Sequence, residues 1–152
     1  MKVFFLAALL NFDADLPRAQ PLETAPAAFQ ELYQSLWDAV DERRTSPIYA
    51  ALDTEFVIER DFGGVYLRGA PAVENFSAIF QLDPDKLRKG YKDRGWQRLA
   101  DRLSQTPFEW KANGDLCTNF GGMESEPFPT GQLCFRLVGA RWRMSRYIKG
   151  GD

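Results

Sequence analysis

The stretch FVIERDFGGVYLRG, residues 56 to 69, contains Asp61-Phe62-Gly63, the tripeptide with which protein kinases hold magnesium. That chemistry needs further parts, a Gly-rich phosphate loop upstream and a His-Arg-Asp catalytic loop. The chain has no histidine, and its 152 residues are about half the necessary length. Asp61 to Gly64 is therefore read as the end of a strand and a hairpin turn, where glycine supplies backbone freedom. Cys117 and Cys134 are the two cysteines. With no C-x-x-C and no histidine, a zinc site, a dithiol redox centre and a Cys-His nucleophile all lack their parts. No metal or cofactor is expected. In an exported protein the pair is a disulfide; in a cytosolic one it is two buried thiols.

Arginine placement offers the sharper chemical clue. Period-two alternation puts Arg60 on the strand face of Phe56, Ile58 and Phe62, opposite Val57, Glu59 and Asp61. The same rule puts Arg146 on the face of Trp142, Met144 and Ile148. A guanidinium on an apolar face needs a partner. Arg60 and Arg146, with Trp142 beside them, clamp a small organic anion, or pair with internal acids such as Glu59 or Asp53, or snorkel to water from strand ends.

Net charge is −2, so no global field draws nucleic acid or an anionic membrane. Residues 86 to 102 nevertheless carry Lys86, Arg88, Lys89, Lys92, Arg94, Arg98 and Arg102 against Asp93 and Asp101. This segment reads as a solvated helical face; polyanion binding would need aromatic residues interleaved on it. No nucleic-acid partner is expected. At the N-terminus, Lys2 and the apolar run Val3 to Leu10 have the charge order and length of a secretory signal, too short to span a bilayer. The best junction follows Ala19, which makes residues 1–19 a signal and 20–152 one periplasmic or secreted domain, with no membrane contact after cleavage. The alternative is a first buried strand of a cytoplasmic protein.

The elements that must position these residues follow from periodicity. Phe29, Leu32, Tyr33, Leu36, Trp37 and Val40 make an apolar stripe on a helix from about Thr24, its expected cap, to Arg44. Ser46-Pro47 opens a short helix, the hairpin of residues 56–67 follows, and APAVENFSAIF forms a helix with Val73, Phe76, Ile79 and Phe80 inward. Asp83-Pro84 starts a helical stretch broken near Gly90 and resumed to about Ser104, with Trp96, Leu99 and Leu103 on one side. The remainder is strand: 108–112, 116–118, 132–138 and 141–149, the last two joined by Gly139-Ala140.

This order, together with RGAPAVENF and the closing GARWRM, resembles the nuclear transport factor two superfamily and its SnoaL-like members, over residues 24–80 and 131–149. The resemblance implies an α+β fold: a curved antiparallel sheet packed on N-terminal helices as a cone, with an apolar pocket on its concave face. It also implies two functions, a non-enzymatic binding module or an isomerase or hydrolase with a carboxylate general base. The second would use Glu59 or Asp61 with Tyr66 or Tyr147. A histidine-dependent mechanism is excluded by composition, and the inventory favours binding without catalysis.

Overall fold

The computed structural model describes residues 18–60, 65–67, 69–120 and 131–150. Helix α1 spans Ala27–Asp41 and buries Phe29, Tyr33, Leu36, Ala39 and Val40. Thr24 does not cap it. Pro26 keeps Ala25 extended (φ −67°, ψ 158°), because the proline ring disfavours helical geometry in the residue before it. The helix therefore starts after Pro26, and the Thr24 hydroxyl closes a preceding turn by donating to the Pro21 carbonyl at 3.0 Å. At the other end Arg43 adopts φ 55° and donates to the Val40 carbonyl at 2.7 Å, satisfying a helix-end acceptor. Helix α2 (Thr45–Ala50) follows.

Seven strands form one sheet in the order β1-β4-β5-β6-β7-β2-β3. They are β1 (Arg18–Gln20), β2 (Leu52–Arg60), β3 (Val65–Leu67), β4 (Phe108–Trp110), β5 (Leu116–Cys117), β6 (Gly131–Val138) and β7 (Arg141–Lys149). Neighbours run antiparallel except β2 and β7, because β7 returns between β6 and β2 in the direction of β2. The α+β sheet packed on its N-terminal helix is as the sequence implied. The boundary expected after Ala19 falls inside β1, whose register is Arg18↔Trp110, Ala19↔Glu109 and Gln20↔Phe108. Residues 61–64, which hold the Asp-Phe-Gly tripeptide, lie outside the described residues; the strands flanking them pair antiparallel.

Helix α1 lies on one face of the sheet. Phe29 meets Phe108 of β4, Phe135 of β6 and Trp142 of β7 edge-on, with ring centroids 5.1, 5.1 and 5.3 Å apart. Edge-to-face contacts at this spacing satisfy the ring quadrupoles and contribute about 1 kcal/mol each beyond area burial. Helix α3 (Ala72–Ile79) extends the layer through Phe76, which packs on Phe56 and Phe80. Its orientation differs from the expected one. Val73 is exposed, and Asn75 is fully buried, donating its amide to the Phe56 carbonyl at 2.8 Å. That bond turns the polar residue inward and Val73 outward, since positions 73 and 75 lie on different sides of a helix. Helix α4 (Arg94–Leu103) buries Trp96, Leu99 and Leu103 as expected. Among the described residues no helix is long and apolar enough to cross a membrane.

Candidate functional site

Among the described residues, the face of the sheet under α1, where a pocket was expected, is covered with buried aromatic side chains. Phe29, Tyr33, Phe56, Phe76, Phe80, Phe108 and Phe135 are each at most 2% exposed; the rings of Phe108, Phe29, Tyr33 and Phe135 touch in one group, and those of Phe56, Phe76, Phe80 and Tyr147 in a second. Burial raises the Tyr33 phenol far above its ordinary value, partly offset by the Trp37 side chain; its hydroxyl meets no partner in hydrogen-bonding geometry. Tyr147 is likewise shifted upward, chiefly by burial, with Arg102 and Arg98 opposing. Its hydroxyl lies against the backbone of Gly131, where a Cβ would overlap it. The Gly131 carbonyl in turn accepts a bond from the buried Arg102 of α4 at 2.8 Å. Arg102, read as part of a solvated face, is thus an internal tie between α4 and β6, paired also with Asp101.

Arg146 is not on this face. Between the pairs Phe135↔Met144 and Cys134↔Arg146 the strand β7 carries one extra residue, Ser145, whose hydroxyl bonds the Cys134 carbonyl at 3.3 Å. A bulge of this kind breaks the two-residue alternation. Trp142, Met144 and Tyr147 therefore face the core, while Arg146 and Ile148 face the other side with Cys134. There Arg146 donates to Asp115 at 2.9 Å and to Glu59 at 2.7 Å. Asp115 is wholly buried and also receives Arg136 at 3.0 Å; that hydrogen bond raises the Arg136 guanidinium above its usual value. Cys117 and Cys134 are disulfide-bonded on this same face, at paired positions of β5 and β6. Arg146 is accordingly an internally paired cation, with Glu59 among its partners.

The remaining sequence-chosen residues are separated. Arg60 is exposed at the end of β2 and does not meet Arg146, because β2 opposes Arg60 to Lys149 and Val57 to Arg146. Glu59 joins the ion network, whereas Tyr147 belongs to the core, so the sheet sets this carboxylate and this phenol on opposite faces. Asp61 lies outside the described residues, as does the Tyr66 side chain. Trp142 is 8% exposed and lines a surface groove of about 510 Å³ with Leu32, Pro47, Arg141 and Arg143. Among the described residues no three acidic or sulfur side chains gather as metal ligands.

A second groove, of about 450 Å³, lies between α3 and α4. Ile79 and Leu87 give it an apolar floor, Tyr91 stands at its wall, and Lys86, Arg88, Arg94 and Arg98 line it with no carboxylate among the lining residues. Arg98 is held by donating to the Ile79 carbonyl at 3.3 Å, and its Nε is buried without a hydrogen-bond partner. Tyr91 is 51% exposed and carries the Arg94 guanidinium 5.6 Å from its ring centroid. The two walls meet because residue 95 is glycine. A Cβ there would overlap the Gln81 carbonyl, so only glycine lets α4 start against the end of α3. Sequence density of lysine and arginine marks one wall of this groove; the residues of α3 that complete it carried no signal.

No family model matches the chain, and no curated protein or solved structure matches it either.

Proposed function

We propose that this chain is a non-enzymatic binding domain of the nuclear transport factor two, SnoaL-like architecture, working in an oxidising compartment. Its ligand is a small organic anion held in the groove between α3 and α4. The observation that carries this reading is the convergence of Lys86, Arg88, Arg94 and Arg98 on one groove whose lining holds no carboxylate. Cations around a concave, half-apolar surface lower the cost of desolvating an anion and raise its local concentration. Support for binding over catalysis comes from the interior, where buried apolar side chains occupy the face on which an acid/base site would sit. The order α1, α2, β2–β3 hairpin, α3 and closing β6–β7 hairpin supports the architecture. The bonded cysteine pair supports an exported location, which the N-terminal sequence of protein recovered from its host would test: a start near Gln20 agrees with export, and an intact Met1 opposes it.

The test of the binding function is a thermal-shift panel of small organic carboxylates and phosphates against neutral analogues, at low and moderate salt. Anions raise the melting temperature, neutral analogues do not, and added salt weakens the effect. Lys86→Glu and Arg88→Glu, both at exposed positions, abolish the stabilisation and leave the unliganded melt unchanged. Stabilisation that persists in both variants would place the ligand elsewhere and refute the site.

A further inference from the structure

We infer that the end of the sheet carrying the β6–β7 turn is a self-association surface. A second copy of this chain docks there about a two-fold axis, the hairpin tip of each copy entering the groove beside α1 of the other.

The tip is apolar and open. Leu137 and Val138 are both exposed and lead into the turn at Gly139-Ala140. Leu137 pairs directly with Trp142 across the β6–β7 ladder, so its side chain stands beside the indole on the core face of the sheet. Phe29 of α1 packs edge-on against Trp142, yet Leu137 remains half open to water. Single exposed aliphatic residues are ordinary on a surface, whereas an apolar ledge that runs from the core into a concave site marks a docking surface.

The groove adjoins the tip. It holds about 510 Å³ and is lined by Glu31 and Leu32 of α1, Pro47 of α2, and Arg141, Trp142 and Arg143 of β7. The helix wall brings an acid and the strand wall brings two bases. Glu31 and Arg141 are exposed, and among the described residues neither side chain has an ion pair or hydrogen bond. Such a groove is complementary to itself. In an isologous pair every contact occurs twice with the copies exchanged. Because tip and groove share one end of the sheet, one two-fold axis sets Leu137 of each copy over Trp142, Leu32 and Pro47 of the other. The same axis sets Glu31 of each against Arg141 of the other, and this charge complementarity names the occupant. The net charge of −2 opposes association of like chains only weakly.

The experiment is sedimentation velocity of the full chain from about 1 µM to about 500 µM, the range in which a small interface assembles. It is run on the parent and on Leu137→Asp, Glu31→Arg and Arg141→Glu. The parent forms a concentration-dependent dimer. Leu137→Asp weakens it by about tenfold or more, as loss of a central apolar anchor does. Glu31→Arg and Arg141→Glu each weaken it when alone, because like charges then meet at both contacts. An equimolar mixture of those two variants dimerises as the parent does, because opposite charges again meet at both contacts. All three positions are exposed, so each variant keeps the parental melting temperature at concentrations where the parent is monomeric. If Leu137→Asp lowers it, the charge pair decides. A parent that stays monomeric throughout overturns the inference. So does a dimer that the substitutions leave intact, or a mixture that associates no better than either charge variant alone.

Discussion

Replacing Arg146 with alanine probes the face of the sheet that the alternation rule misplaced. The guanidinium is 14% exposed and bridges Asp115, which is 0% exposed, to Glu59, which is 26% exposed. Its removal leaves Asp115 with Arg136 alone and Glu59 without the bond it now receives. Breaking a buried pair by deleting one partner costs about 3–5 kcal/mol. The lower end applies here because Arg136, itself half exposed, remains on Asp115, so the expected loss is about 3 kcal/mol. With a urea slope of about 2 kcal/mol/M, the unfolding midpoint falls by about 1.5 M. Arg60→Ala, at the exposed end of β2, shifts stability by less than about 0.5 kcal/mol. A cycle with Asp115→Ala separates the pair from its surroundings: the single losses exceed the double by about 1–3 kcal/mol if the charges are coupled. Equal and small effects of Arg146→Ala and Arg60→Ala would refute the network as a structural element.

Reduction of the Cys117–Cys134 bridge, whose partners are 17 residues apart, lowers stability by about 3 kcal/mol through restored freedom of the unfolded chain; urea melts with and without reductant measure it, and coincident curves contradict it. Gly131→Ala drives a methyl into the Tyr147 ring and to 2.9 Å from the Ile148 carbonyl, an overpacking worth about 1–3 kcal/mol; a parental melting temperature would show that Tyr147 has another place to go. Alkaline stability follows from Tyr33 and Tyr147, both raised by burial from an ordinary value of 10.0. Below that value both folded and unfolded phenols are neutral and the contribution is complete; above it the unfolded chain loses protons that the folded chain keeps, so stability falls as pH rises, by up to about 1.4 kcal/mol per pH unit for each tyrosine. Tyr33→Phe, which deletes a hydroxyl with no partner, flattens that decline, and an unchanged slope between about pH 10 and about pH 11 would count against the burial argument.

Residue periodicity carried the helices and strands far because each element buries one face. The α1 stripe and the β6–β7 hairpin at Gly139-Ala140 stand where the spacing puts them, and Gly139 takes φ 62° as such a turn requires. The errors have a common origin in single residues that reset a period. Ser145 inserts one residue into RWRMSRYIK and moves Arg146 to the other face, and nothing in that string marks a bulge, since serine suits a strand as readily as a turn. Asn75 turns α3 because it meets the Phe56 carbonyl, a contact across 19 residues that no local pattern encodes. Asp115 closes the turn Lys111–Asp115 and is the buried partner of Arg136 and Arg146, a role that nothing in its local sequence marks. The groove between α3 and α4 was half legible: the run of cations was visible, and its opposite wall depends on Gly95 docking at Gln81.

The central claim is that the site lies between α3 and α4 and not within the sheet. Amide chemical-shift mapping during titration with the organic carboxylate or phosphate that raises the melting temperature most tests it directly. The largest changes are expected in residues 77–81 and 86–98, which bound the groove, with the amides of Val57, Asp115 and Arg146 unmoved. Changes centred on Arg146 and its partners, or on Trp142 and the groove beside α1, would contradict the account.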